Sequence, residues 1–220
     1  MELPNRDALE RDFTARLTRL SARHRRELTD LVGTPPDAAN VPPEFWQRVE
    51  REVNEELAGV LLLIFIASAE FHGADDETAA SWGDTWSQQR AGLVSREYAT
   101  YSREMLDAAG ASWQLKPPTR GELSGDLTSI FGPDRASKIA VNETTLTQTI
   151  GGNFAVEATV GLSAEDTWFT RNDDRVCPFC SPLHATPRLV WTREAPDGPP
   201  LHVNCRCWLV YANIEAMVEA

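Results

Sequence analysis

All four cysteines of this 220-residue chain lie between positions 177 and 207. They form Cys177-Pro178-Phe179-Cys180 and then, after a loop, His202-Val203-Asn204-Cys205-Arg206-Cys207. Two close pairs of thiol and imidazole donors, separated by roughly twenty residues, match what a tetrahedral zinc ion requires. A metal clip also lets a short segment hold a fold that its own apolar area could not support. The C-terminal quarter is therefore expected to be a small β module organised around one structural Zn2+ ion.

Six residues there offer ligand atoms: Cys177, Cys180, His184, His202, Cys205 and Cys207. A structural zinc site takes four. The shared x2 spacing of Cys177/Cys180 and His202/Cys205 lets two side chains converge from one tight turn, which favours a Cys3His set. Cys207 competes with His202, because Cys205 and Cys207 point to the same face of a strand. His184 is the weakest candidate. The expected metal-site residues are Cys177, Cys180, His202, Cys205 and Cys207, with the choice between His202 and Cys207 open.

Other chemistry fits the same residues less well. Cys-Pro-Phe-Cys resembles the redox pair of glutaredoxin-like enzymes. Such a pair sits between the first strand and first helix of its fold, whereas here it follows 176 residues and leads into Ser181-Pro182. Unmetallated thiols or late disulfides are a further alternative. A catalytic zinc would need an open position and a nearby base, for which Asp173, Asp174 and Glu194 are the acidic residues close in sequence. There is no H-E-x-x-H, no H-x-E ahead of a P-C-x-x-C, and no Gly-rich phosphate loop. No catalytic residue is assigned, and no enzyme activity is expected.

Upstream of the cysteines the pattern is helical. Leu9, Phe13, Leu17, Leu20, Leu28 and Leu31 recur at steps of three and four, so residues 5–32 read as an amphipathic helix, with Asn5 as N-cap and Gly33 and Pro35-Pro36 as its stop. His24 completes that stripe at the core edge, and the arginines between 16 and 26 form a solvated face. A Pro-rich linker over 34–43 leads into a second helix ending near His72, which is read as a cation at the helix end. Its stretch 60–67 is apolar on every face, the mark of a bundle centre or an oligomer contact. A third helical region spans 76–109, its buried side marked by Trp82, Trp86, Leu93, Tyr101 and Met105, with Gly83 and Gly92 arguing against an unbroken helix. Lys116-Pro117-Pro118 opens an irregular stretch, and helical spacing returns over 134–150 and continues to about 160 past Gly151-Gly152. Three strands are expected around the cysteines, over 167–170, 189–192 and 208–211.

The chain is acidic, with a formal net charge of −12. That argues against a protein whose main task is coating nucleic acid. The longest apolar run, 57–69, is too short to cross a bilayer, so no membrane role is expected. Met1 leads into a charged amphipathic stretch in place of a secretory signal. The thiols are then expected to mature in a reducing cytoplasm, which favours metal or free thiol over disulfide.

Trp168, then Thr170 to Cys180 by way of Asp174-Arg175-Val176-Cys177, then Gly198-Pro199-Pro200-Leu201-His202 and on to Cys207, resembles the C-terminal signature of the phage Mu F-like family. These are minor head, or head morphogenesis, proteins of tailed bacteriophages. Residues 136–145, containing Ile139-Ala140 and Glu143-Thr144-Thr145, resemble the helix that precedes the cysteines in that family. The likeness covers about residues 134–210. Val203 stands where the family usually has Pro, Ala185 lies near a common Gly, and Val141 replaces a frequent Arg.

The resemblance implies a minor capsid protein of the virion, portal-associated inside the head, that passes through the host cytoplasm during viral assembly. It would act in head morphogenesis and in DNA packaging or ejection. The implied partner is the portal protein, with several copies around it and the major capsid or scaffolding protein as further contacts. DNA contact is secondary for so acidic a chain. The alternative is a zinc-dependent nuclease or hydrolase acting on phage DNA. The expected architecture is α+β: a predominantly helical interaction region over 1–115, a linker over 116–133, and a Mu F-like domain with the Cys/His cluster over 134–220, made of a helix and a small zinc-stabilised β module.

Overall fold

A computed structural model describes residues 2–171, 173 and 176–214. The chain is mostly helical, with one small antiparallel sheet and the Cys/His cluster near its C-terminal end, an α+β arrangement. Five long or medium helices come first: α1 (Arg6–Val32), α2 (Pro43–Phe71), α3 (Asp76–Leu115), α4 (Arg120–Ile130) and α5 (Pro133–Thr159). Then follow β1 (Thr167–Phe169), β2 (Thr186–Pro187), the single-turn α6 (Arg188–Trp191) and β3 (Trp208–Val210). Among the described residues no helix is long and apolar enough to cross a membrane.

The helix ends obey local chemistry. The Asn5 carbonyl takes the Leu9 N–H at 3.1 Å, which places Asn5 at the N-cap of α1. Gly33 and Gly73 adopt φ of +73° and +96° just past α1 and α2, the left-handed exit that glycine permits. Thr119 and Glu122 form a reciprocal capping box that starts α4. That helix occupies most of the stretch expected to be irregular, because the capping box outweighs Gly121 and Gly125 there.

The chain divides into two compact units, neither continuous in sequence. One comprises Phe13–Gly59 and Gln88–Ser137. Its core is built from Phe13, Leu17, Leu20 and Leu28 of α1, Phe45, Trp46, Val49 and Val53 of α2, Tyr98 and Leu106 of α3, and Leu127 and Ile130 of α4. His24 is fully buried against Phe45 and Phe131, and its Nε2 meets Glu52 at 2.8 Å. Burial lowers its pKa. Arg16 and Arg23 pair with Glu56 and Glu52, so these arginines are tied down more than a solvated face requires.

α3 is unbroken, and its apolar register differs from the expectation. Leu93 is exposed and Tyr101 is 53% exposed, while Ala79, Gly83, Ser87, Ala91, Ser95 and Ser102 are buried. Small residues share the packed face with Val94, Tyr98, Leu106 and Trp113, and Trp82 and Trp86 are partly buried against the Phe65 cluster, as expected.

The other unit comprises Met1–Asp12, Val60–Ser87 and Lys138–Ala220. Close approach is the rule. A Cβ on Gly151 would lie 2.8 Å from the Phe65 carbonyl oxygen, and one on Gly83 would lie 2.9 Å from the Phe65 ring. The Gly151-Gly152 pair therefore serves packing, and α5 continues through it. The stretch 60–67 is not buried all round: Val60, Leu61, Ile64 and Phe65 face the core, but Leu63 is 54% exposed. His72 is a buried side chain, not a helix-end cation. Its Nδ1 sits 2.7 Å from the Ser68 carbonyl, and burial pulls its pKa down to about 4.

The three strands form a sheet in the order β2-β1-β3, with Trp168 opposite Thr186 on one side and Leu209 on the other. The strands expected at 167–170 and 208–211 are present as β1 and β3. The one expected at 189–192 is instead α6. Pro187, at φ −75° and ψ 165°, opens that turn, Leu189 is 65% exposed, and Trp191 turns inward to donate from Nε1 to the Asp166 carbonyl. Four residues are too few for periodicity to separate strand from helix. The fully buried Asp166 carboxylate accepts from the Ser163 and Ala212 backbone amides, tying the sheet to the end of α5.

Candidate metal centre

Both x2 spacings fold into the same device. The Cys180 N–H donates to the Cys177 carbonyl at 3.2 Å, and the Cys205 N–H donates to the His202 carbonyl at 3.1 Å. Each turn therefore swings its first and last side chains to one side. The Cys180 N–H also lies 3.3 Å from the Cys177 sulfur, an amide that stabilises a thiolate. In the second turn Asn204 takes φ of +65°, a conformation asparagine tolerates better than most residues.

The turns bring five donors together. Cys177, Cys180 and His202 form one mutually close set, and Cys180, Cys205 and Cys207 form another that shares Cys180. His202 Nε2 lies 2.8 Å from Cys177 Sγ and 3.1 Å from Cys180 Sγ. Cys180 Sγ lies 3.8 Å from Cys205 Sγ. A tetrahedral ion with metal–sulfur bonds of about 2.3 Å sets two sulfur ligands about 3.8 Å apart. All four cysteines are free thiols.

The tautomer of His202 follows from its surroundings. Its Nδ1 is 2.8 Å from the Val203 carbonyl, so Nδ1 carries the proton and the Nε2 lone pair faces the sulfurs. A ligating imidazole needs this arrangement. The space between them measures ≈ 20 Å³, opens to solvent, and is lined by the donors together with Thr170, Arg171 and Arg206. It has room for one ion or one water molecule. The five residues can hold a metal ion, and the donor set and spacing suit a soft-ligand tetrahedral ion.

Charge in the cluster is already uneven. Hydrogen bonds from the Cys180 and Cys207 thiols stabilise the Cys205 thiolate and push its pKa far down. Cys180 moves the opposite way, because it donates to Cys205 and Cys207 and is buried. Such a nest of sulfurs favours a cation at its centre.

The remaining sequence candidates lie elsewhere. His184 Nδ1 accepts from the Thr170 amide at 3.1 Å and stands 2.9 Å from the Thr170 hydroxyl, so His184 braces the end of β1 and joins neither donor set. Asp173 lines the space but is paired with Arg206 at 2.7 Å. Glu194 is exposed, and Asp174 lies outside the described residues.

Two residues that sequence reasoning did not single out support the second turn. Arg6, the first residue of α1, is 1% exposed and donates from Nη1 to the carbonyls of Arg206 and Cys207 at 3.0 and 3.3 Å. Its Nη2 lies 2.6 Å from Thr145 Oγ1, which in turn donates to the Cys205 carbonyl at 2.6 Å. Burial, and then the like charge of Arg171, lowers the Arg6 pKa, yet a guanidinium keeps its proton. Nothing in the local pattern around Arg6 signals this, because the acceptors lie some 200 positions away. No family model, curated protein or solved structure matches this chain.

Proposed function

We propose that the cluster holds one structural zinc ion through Cys177, Cys180, His202 and Cys205, and that the chain is a phage head morphogenesis protein. In this reading it is a minor head component, associated with the portal inside the capsid. The observation that carries the zinc reading is the convergence of two matching turns on a 3.8 Å sulfur pair around a space of ≈ 20 Å³. The space between the donors is the size of an ion, and the lining carboxylate of Asp173 is engaged by Arg206. His202 is preferred to Cys207 because its Nε2 lone pair is already aimed at Cys177 and Cys180. The viral reading is supported by the joint pattern of the two cysteine segments, which resembles the Mu F-like signature. The helical remainder suits contact with protein partners through helix faces.

Elemental analysis of purified protein tests the first half. Close to one zinc per chain is expected, falling well below one in His202→Ala and remaining near one in Cys207→Ser. The reverse outcome in the two variants would exchange the fourth ligand, and a chain that takes up no zinc would end the metal reading. Locating the protein by mass spectrometry in intact, DNA-filled particles tests the second half, and its absence from particles would end the viral reading. DNA cleavage by the zinc-loaded protein would instead favour the nuclease alternative.

A further inference from the structure

Thiolate ligands place a problem inside a protein. With three cysteines and a histidine, a zinc centre carries a net negative charge, and uncompensated charge in a poorly solvated site is costly. The ligand loop must also hold its sulfurs in place before the ion arrives. Both needs converge on one side chain. All three carbonyls of Cys205-Arg206-Cys207 accept hydrogen bonds, Cys205 from Thr145, and Arg206 and Cys207 from Arg6. Fixing three successive carbonyls fixes the alternation that turns Cys205 and Cys207 toward the cluster. Among the described residues, Arg6 is the only lysine or arginine so fully buried.

We propose that Arg6 is the positioning residue of the metal centre: its guanidinium holds the main chain of the His202–Cys207 ligand loop in ligating register and supplies the buried positive charge that the thiolates require. Thr145 relays the same grip to Cys205. This rests on the zinc reading above and extends it to the N-terminal segment, which becomes part of the site. The neighbouring charges fit the role. Glu2 approaches Arg6 at 3.7 Å but is held more closely by Arg171 at 2.7 Å, and Asp7 also pairs with Arg171. Glu2 and Asp7 are thus held more closely by Arg171 than by Arg6, while Glu10 adds a further negative charge that acts on Arg6.

The test is the rate at which zinc-loaded full-length protein yields its metal to a colorimetric chelator, read beside the helical circular dichroism signal. Supporting residues around a bound metal are typically worth roughly ten- to a hundredfold in affinity, so Arg6→Met is expected to release zinc about tenfold faster or more. Arg6→Lys keeps the charge without the two-pronged fork and should fall between that variant and the unaltered protein. A lysine variant that matches the unaltered protein would overturn the positioning role. Arg206→Met removes a cation beside the same space that grips no ligand carbonyl, and its release rate should rise less than that of Arg6→Met. Acceleration equal to that of Arg6→Met would show that any nearby cation suffices and would overturn the proposal. Thr145→Val keeps the buried charge and removes the hydroxyl that links Arg6 Nη2 to the Cys205 carbonyl, and it should release zinc several-fold faster. Release at the unaltered rate by Arg6→Met, or by Thr145→Val should the first fail to fold, would also overturn the proposal. Unaltered protein that binds no zinc would defeat the metal reading itself, whereas equal retention by all chains defeats only the role of Arg6.

Discussion

Ala185 has φ of +57°, in the left-handed region that a Cβ disfavours. It is exposed, and its N–H donates to the Trp168 carbonyl at 2.8 Å, so the strain is imposed by the entry into β2. The left-handed conformation costs a non-glycine residue about 1–2 kcal/mol, and the extra freedom of glycine in the unfolded chain returns about 0.5–1 kcal/mol of that. Ala185→Gly should therefore raise stability by roughly 0.5–1 kcal/mol, read as a higher denaturant midpoint with an unchanged slope. A lower midpoint would show that the turn does not carry the strain assigned to it. At this scale the donors were legible from spacing, because x2 pairs encode a turn and a direction. Arg6 and Thr145 were not, because nothing local distinguishes a buried arginine from the exposed ones that follow it on α1.

The end of α2 carries a titration that can be read against pH. His72 lies beside the Tyr211 ring, with centroids 4.9 Å apart, and the Tyr211 hydroxyl is engaged by Asn153. Its folded pKa of about 4 lies below the ordinary value of 6.5, so the unfolded chain binds the extra proton. Stability from this group is complete above pH 6.5 and declines as pH falls toward 4, by about 2 kcal/mol between pH 7 and pH 5. His72→Gln should flatten that part of the pH profile in denaturant titrations. An unchanged slope would mean that the loss arises at other groups, of which His24, also lowered by burial, acts in the same sense. Element lengths explain what the sequence revealed here. α1, α2 and α5 carry enough turns for periodicity and stop signals to locate them. α6 has four residues and α4 owes its start to one capping box, so neither leaves a periodic trace. On α3 the expectation fails at Leu93 and Tyr101, because alanine, glycine and serine occupy several of the packed positions and carry little apolar signal.

Across the whole molecule the buried thiols belong to one hydrophobic cluster. Cys180, Cys205 and Cys207 pack with Trp168, Trp191, Leu209 and Tyr211, and with Val156 of α5. Phe65, Ala69, Ala79 and Ala155 form a separate cluster, and the unit built from Phe13–Gly59 and Gln88–Ser137 has a core of its own. Stripping the metal with a strong chelator at neutral pH should therefore change tryptophan emission and expose thiols to modification, while the helical circular dichroism signal stays nearly constant. Returning zinc should reverse both changes. Collapse of the helical signal would show that the long helices depend on the ion.

The grip of Arg6 on Arg206 and Cys207 joins positions 200 and 201 residues apart. During synthesis the guanidinium leaves the ribosome long before the carbonyls it will engage exist. Helices with local contacts can form as they emerge, but this closure must await the second cysteine turn. Until then a cationic side chain destined for the interior remains in water, and a nascent chain stalled before the second cysteine turn leaves Arg6 without the carbonyls it will engage.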